Sequence, residues 1–339
     1  MRKKMKSNAA TLKEIEEVFR KLTRGTKKDE KVVLTTEAGY IKLDLDTKWK
    51  GKESEFNRYD QLFDLMDEQK VKTVKEVWVS FLKLNDEQWY WVAKFITEQC
   101  DYITGVSFHD SNCADKNYSM MLDSLIGKQK MIWLNLNYTK PKLEQVTKLG
   151  QIYKNVTTFD TFRGFNIGLD DSLLEVLLTG MLNNCQKPLK LTMLILSYSS
   201  FGPKSLPLLV EFVKKDRELD SIHLTEVGLK GDYFRQLLDA IADLGSRGVL
   251  RILGLNKNCI DDHQTFDSFI SILNKSTQLK ELYFYKTNTL GNRGQEIVQA
   301  IKNSPSRNVF KDVVIDKAIE ADVRNALKDF NANVKVSGY

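Results

Sequence analysis

The sequence predicts an α/β solenoid, in which short parallel strands alternate with helices in stacked copies of one unit. Three observations carry this. The stretch Leu250–Ile260 reads LRILGLNKNCI, with apolar residues at Leu250, Leu253, Leu255 and Ile260 and Asn258 between the last two. Leu253 and Leu255 are two apart and share one face of a strand, while Gly254 and Asn256 take the other. The amide of Asn258 can satisfy backbone groups where the chain turns out of that strand. Helical spacing follows at Phe266, Phe269, Ile272 and Leu273, which recur at threes and fours. One strand and one helix cannot bury a face alone, so the pattern must recur, and it does.

The chain begins with residues that do not fit the repeat. From Thr11 to Leu22, apolar Leu12, Ile15, Val18, Phe19 and Leu22 trace a helix, and Thr11 with Glu14 resembles a capping box. After the charged connector RGTKKDEK, VVLTT and YIKLDL flank Glu37–Gly39 and read as two strands around a turn. A second helix is expected from Glu55 to Glu68. Residues 1–73 thus form a basic tail and a small α+β cap over the first repeat, or a separate partner-binding arm.

From Val74 to Tyr339 about eight or nine units and a C-terminal cap can be counted. The first apolar positions are Val74, Ile103, Met131, Val156, Leu191, Leu219, Leu250, Leu279 and Phe310. Their successive differences are 29, 28, 25, 35, 28, 31, 29 and 31 residues. The paired strand positions recur, as in Val77 and Val79, Val106 and Phe108, Leu134 and Leu136, Leu194 and Leu196, Ile222 and Leu224, Leu282 and Phe284. The Val156 unit is degraded, with Thr161 after Phe159 where an apolar residue belongs, so Asp160–Asp171 reads as an irregular loop or a break in the stack. The end, NVKVSGY, fits a short closing strand.

Composition bounds the function. The 339 residues carry 51 basic and 45 acidic side chains, a net charge of +6 on a mixed surface, which does not by itself indicate nucleic acid. No apolar run reaches the ~20 residues a membrane-spanning helix needs. The N-terminus lacks an apolar signal region, and Glu14, Glu16 and Glu17 argue against a mitochondrial transit peptide. Cys100, Cys113, Cys185 and Cys259 are scattered without a C-x-x-C pair, as reduced intracellular thiols would be.

The repeat resembles the leucine-rich-repeat superfamily in its ribonuclease-inhibitor-like subtype, where strands alternate with full helices about every 28 residues. The resemblance covers Val74 to Asn331. It implies a curved horseshoe with parallel strands inside and helices outside. Its members include ribonuclease inhibitors, activators of small GTPases, actin-filament cappers and sensor arms of immune receptors. The cysteine richness of ribonuclease inhibitors is absent.

No phosphate-binding loop, dinucleotide fingerprint or nucleophile elbow occurs. His109, His223 and His263 are far apart in sequence, and no Cys or His pair has metal-ligand spacing. Asp170–Asp171 and Asp261–Asp262 fall just before helices, where carboxylates complement the helix dipole. No cofactor or metal is implied, and the chain is expected not to be an enzyme.

Specificity in such a fold lies between the buried leucines. The residue between the two strand leucines gives one column: Trp78, Ser107, Asn135, Asp160, Ile195, His223, Gly254, Tyr283 and Val314. The residue two after the second leucine gives another: Phe81, Asp110, Tyr138, Arg163, Tyr198, Glu226, Lys257, Lys286 and Lys317. With Trp133, these columns place the aromatics Trp78, Phe81 and Tyr138 on the early repeats, either as binding hot spots or as a floor under the N-terminal cap. Gly254 leaves a gap beside Tyr283. Tyr283, Tyr285, Lys257, Lys286 and Lys317 form an aromatic-and-lysine patch suited to an acidic protein partner; the few arginines disfavour nucleic acid, and a small molecule is disfavoured too.

The expectation is therefore a non-catalytic protein-binding scaffold or adaptor, intracellular and cytoplasmic, a subunit of a larger assembly such as a cytoskeletal or ciliary one. Two alternatives stand beside it. One is a regulator of a small GTPase, for which Arg163 in the irregular loop is the candidate arginine. The other is a bacterial effector that binds host proteins.

Overall fold

The computed structural model describes residues 32–37, 40–45, 74–80, 86–109, 115–184, 190–260, 262–287, 293–331 and 333–339. The expected helices over Thr11–Leu22 and Glu55–Glu68, with Phe81 and Asp110 of the second column, lie outside these residues. The chain divides into two compact parts, one of residues 1–139 with 155–158 and one of residues 140–154 with 159–339.

In the first part, β1 (Val32–Glu37) and β2 (Tyr40–Leu45) are an antiparallel pair, in register from Val32 opposite Leu45 to Glu37 opposite Tyr40. This is the strand pair read on either side of Glu37–Gly39. From β2 onward the pairing is parallel, to β3 (Val74–Ser80), β4 (Gly105–His109) and β5 (Trp133–Asn135). Each step between these repeats passes through a helix, α1 (Asp86–Gln99) and then α2 (Asp115–Asp123). Val77, Val106 and Leu134 are buried in register beneath the strands, and Trp89, Val92, Phe95 and Ile96 form the apolar face of α1.

The second part opens with α3 (Leu143–Asn155, whose last residue belongs to the first part). Seven strands follow: β6 (Thr161–Arg163), β7 (Met193–Ile195), β8 (Ser221–His223), β9 (Ile252–Gly254), β10 (Glu281–Phe284), β11 (Asp312–Ile315) and β12 (Lys335–Gly338). They pair in chain order, every pair parallel. Between them run α4 (Asp171–Leu182), α5 (Ser205–Lys215), α6 (Gly231–Ser246), α7 (His263–Lys275), α8 (Gly294–Asn303) and α9 (Glu320–Lys328), each of the later helices against its predecessor. The fold is an α/β leucine-rich-repeat solenoid, and the closing strand expected in NVKVSGY is β12.

The reason lies in the three apolar positions of each repeat. Leu191, Leu194 and Leu196, or Leu250, Leu253 and Leu255, are buried, as are their counterparts in every repeat of this part. Each fully buried leucine contributes about 1.5–3 kcal/mol by leaving water, and the stack buries three per repeat before any helix is counted. In the Leu279 repeat Phe284 takes the third position and stacks on Phe269 of α7 with ring centroids 3.8 Å apart.

Strands of three residues pair further than their length suggests. The N–H groups of Leu196, Leu224 and Leu255 donate to His223, Gly254 and Tyr283 of the following repeat; two residues on, those of Tyr198, Glu226 and Lys257 donate to Thr225, Asn256 and Tyr285. These last donors all have positive φ, as do Tyr138, Asn166 and Lys286, with values from 52° to 64°. A left-handed residue therefore turns the chain out of each of the strands β5 to β10 at the same place.

The Val156 repeat is regular, in a different register from the one expected. Phe162 pairs with Leu194 and is fully buried, so the anchors are Phe159, Phe162 and Gly164. The spacings around it become 28 (131 to 159) and 32 (159 to 191) residues. The third leucine is replaced by glycine because its space is taken: a Cβ on Gly164 would stand 2.7 Å from Ile167 and 2.9 Å from Phe162. Phe159 and Phe162 both pack on Tyr153 of α3, with centroids 4.3 and 5.5 Å away. Residues 160–171 are thus a strand, a turn and the start of α4, and not an irregular loop.

Asparagine and aspartate side chains join the repeats. Asn258 donates to the carbonyls of Leu224 (2.6 Å) and Leu255 (3.0 Å) and accepts from the N–H groups of Val227 (3.2 Å) and Leu229 (3.4 Å). Asp170 caps α4 through the Leu173 N–H, and Asp262 caps α7 through that of Thr265, the dipole role expected of these acids. Asp171 reaches the next repeat and accepts from the N–H groups of Gly202 and Ser205 and from the Ser205 hydroxyl. Asp261 lies outside the described residues.

Candidate protein-binding surface

In a strand, the residues on either side of a buried leucine face the opposite way from it. The register therefore defines two columns across β6–β12 on the face opposite the buried leucines, with Ser221, Gly254 and Val314 buried within them. One holds Thr161, Met193, Ser221, Ile252, Glu281, Asp312 and Lys335; the other holds Arg163, Ile195, His223, Gly254, Tyr283, Val314 and Ser337. Ile195, His223, Gly254, Tyr283 and Val314 stand in the column expected of them. Arg163 joins them in place of Asp160, which precedes the strand.

The second expected column is not on the strands. Tyr138, Tyr198, Glu226, Lys257 and Lys286 occupy the left-handed turn position, with Asn166 where Arg163 was expected. Lys317 begins a short 3-10 helix, Lys317–Ile319, and does not occupy that turn. The turn residues make a second, separate row. Tyr198 meets Phe165 edge-on at 5.0 Å, the Lys257 ammonium stands 5.5 Å from the Tyr198 ring, and Tyr285 stacks on Tyr339 at 5.1 Å.

The charges in this row are partly satisfied within the chain. Lys257 binds Glu226 at 2.7 Å, which raises its pKa, and Lys317 binds Glu320 at 2.7 Å. The backbone N–H of Lys286 donates to Asp316, a bond that does not engage its ammonium. The lysines therefore form a mixed edge of lysine–carboxylate pairs and tyrosines.

On the inner columns, the centre is apolar and half-buried: Met193, Ile195 and Ile252 surround His223. Burial holds the His223 pKa below its ordinary value; Glu281 pulls it up and Arg163 pushes it down. The gap expected at Gly254 is filled. The His223 ring leans across it, 2.9 Å from where a Cβ would stand, and faces Tyr283 at 6.0 Å between centroids. At the far end the Tyr283 hydroxyl donates to Glu281 at 2.8 Å, and burial together with Glu281 and Asp312 pushes its pKa up. Where the chain enters β6 and β8, Asp160 and Asp220 are half-buried, and desolvation raises both pKa values.

In the first part, Trp133 lies at the start of β5, half-buried, with its indole over Gly105 of β4 where any side chain would collide with it. Tyr138 is 43% exposed on its turn. Trp78 is on β3, in register with Ser107 and Asn135.

Sequence reasoning missed Met193, Ile252, Glu281 and Asp312. The signal was present: period two puts the residue before each buried leucine on the same face as the residue after it. Among the described residues, no cluster of three histidines, cysteines or acids could hold a metal, and no helix is long and apolar enough to cross a membrane. Cys100 is buried, and its thiol pKa is pushed up by burial; Cys259 is half-buried.

No protein-family model matches the chain. No curated protein matches it in sequence. Among solved structures it is similar to an internalin (inlF) from Listeria monocytogenes, at 12% identity and a TM-score of 0.43, over 91% of this chain and 89% of that one.

Proposed function

We propose that the protein is a non-catalytic protein-binding scaffold whose partner lies on the inner columns of β6–β12. The observation that supports this most is the composition of those columns: three half-buried aliphatic side chains, Met193, Ile195 and Ile252, sit together on an open sheet face with Tyr283 and an exposed arginine, Arg163. Apolar centres with tyrosine, methionine and arginine are what protein interfaces enrich. In this reading residues 1–73 cap the repeats, and the repeats are of the ribonuclease-inhibitor-like subtype. The helices favour that subtype, since those from α4 to α8 each have 10 to 16 residues. The protein then works inside the cell as an adaptor subunit of a larger assembly. Affinity capture from native extract tests this: Ile195→Asp should lose the partners that the unmodified chain and Lys214→Glu on α5 both retain. Equal capture by all three would refute it.

One observation keeps a second reading open. Arg163 is exposed on β6 and makes no ion pair among the described residues, as an arginine supplied to another protein's nucleotide would be. A GTPase regulator would accelerate GTP hydrolysis by its partner, and Arg163→Ala would abolish the acceleration. An unchanged hydrolysis rate removes this reading.

A further inference from the structure

We propose that the inner face from β6 to β11 recognises a protein segment of fixed polarity: acidic where it meets Arg163, apolar in the middle, and basic where it meets Glu281 and Asp312. This rests on the inner columns being the binding surface and adds the chemistry and direction of the occupant.

The basic end follows from two acids set side by side around one phenol. Glu281 and Asp312 are neighbours on β10 and β11, in register, with Tyr283 beside them. The phenol has one proton; it is donated to Glu281 at 2.8 Å, and Asp312 also lies close enough to the hydroxyl to help raise its pKa. One oxygen of Asp312 is left buried with no hydrogen-bond partner. The cation near its other oxygen, Lys335, stands 3.9 Å away on a side chain that is 72% exposed, a contact of little strength. Two adjacent carboxylates with one phenolic proton between them and only an exposed lysine 3.9 Å away leave negative charge that a guanidinium or ammonium group brought by a partner would offset.

The opposite end has the opposite need. Arg163 is exposed and has no carboxylate partner among the described residues. Its five donors suit a carboxylate on the occupant. Between the two ends lie Met193, Ile195, His223 and Ile252. Charge thus changes sign across an apolar strip, and one orientation of a complementary segment satisfies both ends while the reverse puts like charges together. The five strand steps from β6 to β11 span about 24 Å at ~4.8 Å each, which an extended segment of about seven residues crosses at ~3.3 Å per residue. Nucleic acid does not fit, because the Glu281 and Asp312 carboxylates would face its phosphates.

The test is selection of a random twelve-residue peptide display library on the full chain, followed by fluorescence anisotropy of the enriched peptides. Enriched peptides should share an acid, an apolar run and a base in one order, with acid and base about six or seven residues apart. Arg163→Glu and Asp312→Asn should each bind them at least about tenfold more weakly. No enrichment, enrichment without that order, or equal binding to both charge variants overturns the proposal. Ile195→Asp separates the two levels. Peptides lost on Ile195→Asp but indifferent to both charge variants leave the inner-face reading standing and remove the polarity; peptides indifferent to all three remove both.

Discussion

Replacing Asn258 with alanine should destabilise the second part more than any other single polar change there, by about 2–4 kcal/mol. The side chain is buried and holds four backbone groups from two repeats. Alanine leaves the Val227 and Leu229 N–H groups without the acceptor they share, and the Leu224 and Leu255 carbonyls without their amide donor. A buried N–H left unmade costs about 1–3 kcal/mol, so the two together give about 2–6. Water entering the vacated space recovers part of that and sets the lower range. Asn258→Asp keeps the acceptor but sets a carboxylate against two carbonyl oxygens, so it should be no better tolerated. Urea denaturation gives the total, and hydrogen exchange gives the location: Val227 and Leu229 should lose protection first, since repeat proteins open between neighbours. A loss below about 0.5 kcal/mol with both amides still protected would refute the claim that this amide joins the repeats.

Other consequences are equally concrete. Phe162→Ala should cost about 3–5 kcal/mol while Thr161→Ala costs less than about 1; the reverse ranking by denaturation would restore the register in which Thr161 was a core position. Gly180 of α4 lies against the backbone of Gly150 of α3, with no room for a Cβ, so Gly180→Leu should force the helices apart and lower the melting temperature by several degrees, whereas Gly168→Ala, with open space around it, carries only backbone strain. Asp216 is fully buried and accepts the Leu191 and Glu218 N–H groups, yet desolvation outweighs these bonds and raises its pKa to about 6 from the ordinary 3.8. The folded state then holds a proton that the unfolded chain has released between those values. Its contribution to stability falls as pH rises from about 4 to about 6, by up to about 3 kcal/mol; denaturation at pH 4.5 and 6.5 should show a smaller pH dependence in that direction for Asp216→Asn, and an identical pH dependence would contradict the assignment.

The leucine ladder was legible because it obeys a two-residue period that no neighbour alters: Leu253 and Leu255 look the same in sequence as in the sheet. The repeat at Phe159 was not, because its three anchors are two phenylalanines and a glycine. Gly164 is small only because Phe162 and Ile167 fill its place, a fact of packing with no local signature. The same holds for Gly254, whose emptiness is occupied by the His223 ring from the neighbouring strand. The row through Tyr198, Glu226 and Lys257 was readable as a row, but not as a row of left-handed turns. Its left-handed φ is carried by large non-glycine residues, which give no hint of a turn. Glu281 and Asp312 were readable from the strand period, but their convergence beside one tyrosine hydroxyl depends on register between repeats 31 residues apart.

The central claim is that partners meet the inner columns. A photo-crosslinking amino acid placed at Ile195 on β7, and in a separate variant at Lys214 on the outer helix α5, measures it most directly in native extract. The account predicts a discrete crosslinked protein from position 195, competed away by unlabelled chain, and none from position 214. A partner captured from 214 and not from 195 would contradict it.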